Sequence, residues 1–257
     1  VHYEGVSHGT DESGGIKKYQ SENRRRFFAK WQSVLTTEHF PNGESVFRAR
    51  DLSGKKTTVL VIDHYVPHFD KDAGSRSTFL YLRLLVDAGC QIKFMGDNFY
   101  QHEPYTQTLQ DMGIEVLYGR YYEKNWKSWL LNQAPEIDVV YMMRPHIAEK
   151  YIDTVNRMEP KPRTIYFGHD LHFLRSKRQA EISQDASIAR EAASWQDKEF
   201  ALFRKLDRIY YPSDVEVEEI KKKEPGLPVK AIPLYPIQEF DQSSVDFIER
   251  EGLLFVG

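Results

Sequence analysis

From residue 57 onward the chain alternates short apolar runs rich in Val, Ile and Tyr with stretches whose apolar residues recur every three or four positions. That alternation of two periods is the pattern of parallel strands joined by helical crossovers. Strands are expected at 57–63, 91–96, 114–118, 137–143, 163–167, 208–211 and 229–234. The first crossover helix follows a long loop and is stopped by Gly89; others are expected at 106–112, around Trp126, Trp129 and Leu130, from Pro145 to about Met158, at 186–206 and at 214–223. Pro145 suits a first helical position, where its missing N–H has no partner to lose. The charged stretch between Arg175 and Ala186 reads as mobile. The pattern predicts an α/β fold, a doubly wound, mostly parallel Rossmann-like sheet with helices on both faces.

Ahead of the sandwich, Tyr19, Asn23, Phe27, Trp31 and Leu35 recur at steps of four, which predicts a helical extension over 16–36 with Arg24, Arg25 and Arg26 turned to solvent. Four segments follow: a helical 1–40, a polar linker 41–55, the sandwich 56–250, and 251–257, where a buried strand ending in glycine opens something new. The opening at Val1 gives no signal peptide and suggests a piece cut from a longer chain.

Charge removes one class of partner. With 35 Lys+Arg against 38 Asp+Glu the formal charge is −3, so no basic stripe advertises nucleic acid. No apolar run approaches the roughly 18–20 residues of a spanning helix. Cys90 is the single cysteine, which excludes an internal disulfide and points to a reducing, cytoplasmic setting.

Chemistry is to be sought at the carboxyl ends of the strands, where helix N-termini present unpaired N–H groups. The loop from Asp63 to Ser77 is much longer than the two to six residues usual for such a turn. It carries Asp63, His64, Asp70 and Asp72, then Gly74, Ser75 and Arg76. Gly74 lets a backbone pass close to a ligand, Ser75 or Ser77 can cap the helix, and Arg76 can hold a phosphate or carboxylate. A plain capped helix start with a solvated loop explains the same residues equally well. After the fifth strand come Gly168, His169, Asp170, Leu171, His172 and Arg175, whose polar groups can exchange protons near neutrality and bind sugar hydroxyls. The spacing of His169, Asp170 and His172 lacks the paired helical geometry of strong zinc motifs, so no metal is expected. Glu199 interrupts the stripe between Trp195 and Leu202, as a partly buried or salt-bridged helix residue would.

These marks together resemble the amino-terminal half of GT-B glycosyltransferases of the polysaccharide-building kind, group 1 and family-4-like. The resemblance runs from about residue 57 to the end. It rests on Asp63 through Arg76, Gly89-Cys90-Gln91-Ile92, Asp97-Asn98, His169-Asp170 with the residues up to Arg175, the strand from Asp207 to Ser213, and Ile232-Pro233-Leu234. Residues 1–36 resemble instead the closing segment of a GT-A, family-two-type domain, through His2-Tyr3-Glu4-Gly5, Tyr19-Gln20, Asn23, Phe27 and Lys30-Trp31. The resemblance implies an excised middle portion of a multi-domain glycosyltransferase whose parent moves a sugar from a nucleotide-sugar donor to a glycan or glycolipid acceptor in cell-surface polysaccharide biosynthesis. It implies peripheral membrane association of that parent, no cofactor in this portion, and 251–257 as the first strand of the donor-binding half. By the same resemblance His169 and Asp170 face the transferred sugar, Gly74, Ser75 and Arg76 lie near the diphosphate or acceptor, and Asp63, His64, Asp70, His172, Arg175 and Ser213 complete the substrate side. If configuration inverts, Asp63, His64, Asp70 or Asp72 serves as base.

Two other readings compete. A dinucleotide-dependent oxidoreductase would use Asp97 as its ribose-binding acid, but the first turn lacks the Gly-x-Gly-x-x-Gly series. A non-catalytic Rossmann-like scaffold is compatible with the fold.

Overall fold

In the computed structural model, residues 14–15, 17–44, 46–49, 56–236 and 252 are described. The expectations for His2 and its neighbours, for 237–250 and for the strand at 253–257 lie outside them. Seven strands form one sheet, all parallel, in the order β3-β2-β1-β4-β5-β6-β7. They are β1 (Thr58–Asp63), β2 (Gln91–Gly96), β3 (Glu115–Leu117), β4 (Val139–Met143), β5 (Arg163–Phe167), β6 (Arg208–Tyr211) and β7 (Val229–Ala231). Each falls inside an expected run. The fold class is the doubly wound α/β sandwich that the pattern predicts.

Among the described residues, two helices precede the sheet, α1 (Lys18–Glu38) and the single turn α2 (Val46–Ala49). The crossovers carry α3 (Ala73–Asp87), α4 (Tyr105–Asp111), α5 (Arg120–Asn132), α6 (Pro145–Val155), α7 (His172–Ser183), α8 (Ala186–Phe203) and α9 (Asp214–Lys223). The period of two along each strand sorts its side chains between two cores. Val59, Val61, Phe94, Tyr141 and Met143 pack with Tyr81 and Leu82 of α3 and Leu109 of α4 on one face. Leu60, Ile62, Met95, Val140 and Met142 pack on the other face with Leu130 of α5, Tyr151 and Ile152 of α6, and Phe200 and Phe203 of α8. Past β7 the backbone crosses α3, where Ser77 and Tyr81 donate to the carbonyls of Leu234 and Pro233.

Three expectations change. The charged stretch after Arg175 is ordered as α7, whose Phe173 and Leu174 are buried in the second core. The long helix α8 stops at Phe203, although Leu206 is still buried. In α1 the arginines are exposed as expected, but so is the aromatic stripe: Tyr19, Phe27 and Trp31 are all exposed and no residue of the helix is buried. Among the described residues no helix is long and apolar enough to cross a membrane.

Candidate functional site

Strands β1, β4 and β5 lie side by side, so their carboxyl ends share one edge of the sheet. The strand order reverses between β1 and β4, the place where open parallel sheets leave a crevice. Asp63 ends β1 and is almost fully buried. One of its oxygens accepts the His64 N–H at 2.7 Å and Arg144 Nε at 2.8 Å; the other accepts the Thr78 hydroxyl at 2.9 Å. Burial opposes ionisation, but the hydrogen bond from His64 and the charge of Arg144 outweigh it, and the carboxyl titrates below its ordinary range.

Arg144 is the residue that sequence reasoning passed over. It joins β4 to α6 at φ +71°, a backbone conformation rare for residues with a side chain. Its ion pair with Asp63 fixes the guanidinium, and its N–H reaches the Phe167 carbonyl at 3.3 Å, tying the β4 end to β5. A signal was available: it sits at the carboxyl end of a central strand, one residue before the proline that starts a helix. The guanidinium also explains Gly74. A Cβ at position 74 would lie 2.9 Å from Arg144 Nη2, so glycine there lets the arginine lie against the first turn of α3. The close approach is made by the protein's own side chain.

The start of α3 also differs from expectation. Neither Ser75 nor Ser77 caps it: Asp72 does, accepting the Ser75 N–H at 2.7 Å and the Ser75 hydroxyl at 2.7 Å, with the Tyr65 hydroxyl at 3.1 Å. Burial pushes the Asp72 carboxyl up, yet the bonds from Ser75 prevail and it too sits below the usual range. Arg76 is exposed, and the guanidinium inside the cluster is that of Arg144. Asp70 is exposed as well, bonded by the Tyr105 hydroxyl at 2.6 Å.

The β5 end supplies the second half. Gly168 is needed because the Tyr211 ring lies 2.3 Å from where its Cβ would be. His169 follows, its ring edge-on to Phe167 at 5.1 Å. Both of its ring nitrogens are buried without a hydrogen-bond partner. Burial and the nearby Arg144 charge lower its pKa to about 4, so the imidazole is neutral across physiological pH. The charges acting on it belong to Arg144, Asp63, Asp170 and Asp72, which places the turns after β1, β4 and β5 in one electrostatic neighbourhood.

A groove of about 440 Å³ runs from His169 and Asp170 past Arg175 and Arg178 to Ser213 and Glu216. That volume is within the range of small-ligand sites. Arg175 pairs with Asp170, and Ser213 caps α9 by accepting the Val215 N–H at 3.2 Å. His172 does not line this groove; its ring packs on Trp195 at 4.5 Å, with Nδ1 3.4 Å from Glu199. Glu199 is 1% exposed and accepts the N–H groups of His172 and Phe173, each at 3.0 Å, while Glu216 accepts that of Leu171 at 2.9 Å. Burial raises the Glu216 carboxyl above its ordinary range against the opposing Leu171 bond. Among the described residues, no three His, Cys, Asp or Glu side chains are grouped to hold a metal ion.

No family model and no curated protein matches the chain. Among solved structures it is similar to a UDP-glucosyltransferase from Polygonum tinctorium, at 11% identity and TM-score 0.44, over 73% of this chain and 54% of that one. It is similar also to NmrA, a negative transcriptional regulator in complex with NADP, at 12% identity and TM-score 0.36, over 61% of this chain and 45% of that one. A third is a protein of unknown function, VPA0982 from Vibrio parahaemolyticus, at 12% identity and TM-score 0.35, over 63% of this chain and 96% of that one. The chain thus spans about half the length of the first two.

Proposed function

We propose that this chain forms the acceptor-side wall of a glycosyltransferase that moves a sugar from a nucleotide-sugar donor onto a glycan or glycolipid. The observation that carries this reading is His169: a neutral imidazole with both nitrogens unpaired, on the wall of a groove at the ligand edge of the sheet. Buried polar atoms without partners are uncommon and call for one. A neutral imidazole offers one donor and one acceptor, which matches a sugar hydroxyl. In this reading His169 and Asp170 face the transferred sugar, Arg175 and Ser213 bound the groove, and the Asp63–Arg144 pair holds the β4 turn in place beneath them.

Asp63, Asp70 and Asp72 are all held below the ordinary carboxylate range by their partners, which makes each a weaker base than a free carboxylate. These groups therefore serve binding and orientation. The dinucleotide reading fares worse, because the N-terminus of α3, where a pyrophosphate would sit, is filled by the Asp72 carboxylate.

The test is release of nucleoside diphosphate from a panel of UDP-, GDP- and ADP-sugars by the enzyme as the cell makes it. His169→Ala and Asp170→Asn are each expected to lower the rate at least ~10-fold, the scale of a lost polar contact to a reacting substrate. Unchanged rates in both variants would favour a scaffold, and saturable NADPH binding would favour the oxidoreductase.

A further inference from the structure

Away from the His169 groove, the loops after β1 and β2 and the first residue of α4 bring five rings together. His68 stacks on Tyr105 with ring centroids 4.4 Å apart, and His102 meets His68 edge-on at 4.7 Å. Tyr100 meets His102 at 4.9 Å, while Tyr65 lies 5.1 Å from His68 and 6.0 Å from His102. Tyr100 is 65% exposed and meets one ring of the cluster, that of His102, so most of its ring is open to solvent.

The arrangement is pre-shaped. Phe99 takes φ +52° and is buried, which turns the chain sharply under Tyr100. Asn98 accepts the Tyr100 N–H at 3.2 Å and contacts His102 Nε2 at 2.9 Å, and the His102 N–H reaches the Thr106 hydroxyl at 2.9 Å. His68 Nε2 is buried without a partner.

We propose that this shelf is a pyranose-binding subsite, in which the exposed Tyr100 ring stacks on the C–H face of an uncharged sugar ring while His102, nearly perpendicular to it, flanks the edge of the sugar and hydrogen-bonds a hydroxyl through Nδ1, its Nε2 being held by Asn98. Aromatic faces carry negative charge density and attract polarised C–H groups. The adjacent ions are already paired, Lys71 with Asp70 at 3.8 Å and Lys150 with Asp97 at 2.5 Å, so the shelf suits a neutral ring over a phosphate. Burial and then the neighbouring His68 lower the His102 pKa, keeping that imidazole uncharged. Tyr100 and His102 stand 73° apart, and His102 and His68 68° apart, which offers a stepped surface to a puckered sugar and no parallel slot for a flat base.

The inference rests on the glycosyltransferase reading only for the source of the sugar, a residue of the acceptor glycan. Its test is a titration of the protein with methyl β-glucopyranoside, methyl β-galactopyranoside, methyl α-mannopyranoside and N-acetylglucosamine, followed by the imidazole NMR signals of His68 and His102, with uridine as the competing ligand. Saturable shifts of both signals with at least one sugar are expected. Tyr100→Ala should weaken that binding at least 5-fold, with the exposed Tyr100→Phe restoring it. No shift with any of the four sugars, or tighter binding of uridine, overturns the proposal. Sugar binding here without nucleoside diphosphate release overturns the transferase reading alone; release without sugar binding here overturns the shelf alone.

Discussion

Helices α3 and α7 both begin at the carboxyl edge of the sheet, and both N-termini are filled by carboxylates, but the carboxylates come from different distances. At α3 the cap is Asp72, three residues before the Ser75 N–H that it accepts. At α7 the cap comes from Glu199 of α8 and Glu216 of α9, 27 and 45 residues away from the N–H groups that they accept. The first start is a local device that any chain with that sequence can form. The second exists only once α8 and α9 have docked. In both, the positive end of the helix is already neutralised, so anions gain little there.

The contrast can be broken most directly at Glu199. Glu199→Ala leaves two buried N–H groups without partners and is expected to cost about 3 kcal/mol in denaturant unfolding, with Glu199→Gln losing less because its amide oxygen still accepts. A loss under about 1 kcal/mol would mean that α7 does not depend on its distant cap. The next effect is pH-dependent and lies at His169, between the two starts. Its folded pKa of about 4 is below the unfolded value of 6.5, so the unfolded chain binds the proton more readily. Its contribution is complete above pH 6.5 and is lost as pH falls from 6.5 towards 4. The loss is ~2 kcal/mol after allowance for partial solvent access. His169→Asn should remove that part of the slope, as measured by denaturation across pH 4–7; identical slopes would show that the imidazole is not held neutral.

Asp72→Ala is expected to cost ~1 kcal/mol, the usual worth of an N-cap, and to fray only the first turn of α3 in hydrogen exchange. Glu216→Gln should be the smallest change, within about 0.5 kcal/mol, because the amide oxygen still accepts the Leu171 N–H and a half-buried charge is removed. A large loss there would show that the charge itself, and not the hydrogen bond, orders α7.

The sequence was legible where one short segment carries its own instruction. The central strands β1 and β4 read as near-continuous apolar runs because both faces of a parallel sheet are covered. Gly89, at φ +80°, ends α3 where the sequence places it, and Pro145 opens α6. Helix α7 was not legible: its segment is largely charged and polar, and its two buried apolar anchors, Phe173 and Leu174, are adjacent and show no helical repeat. Asp72 is legible in principle, since aspartate ahead of a small-residue turn is a strong capping signal, but Ser75 and Ser77 carry the same signal three and five positions later.

The candidate site divides the same way. Residues 63–77 and 168–175 stood out because polar groups cluster after apolar strands, whereas Arg144 is a lone charge marked only by its place before Pro145, and Glu216 is one acid among several in α9. By itself the sequence determined the strands, most of the helices and the edge at which the strands' carboxyl ends meet, since those follow from periodicity and from the direction of parallel strands. Only the tertiary structure decided that Arg144 rather than Arg76 meets Asp63, that two remote glutamates start α7, and that His169 is left neutral and unpaired. Those outcomes depend on burial and on charges far apart in the chain, and neither quantity exists until the sheet and its helices have packed.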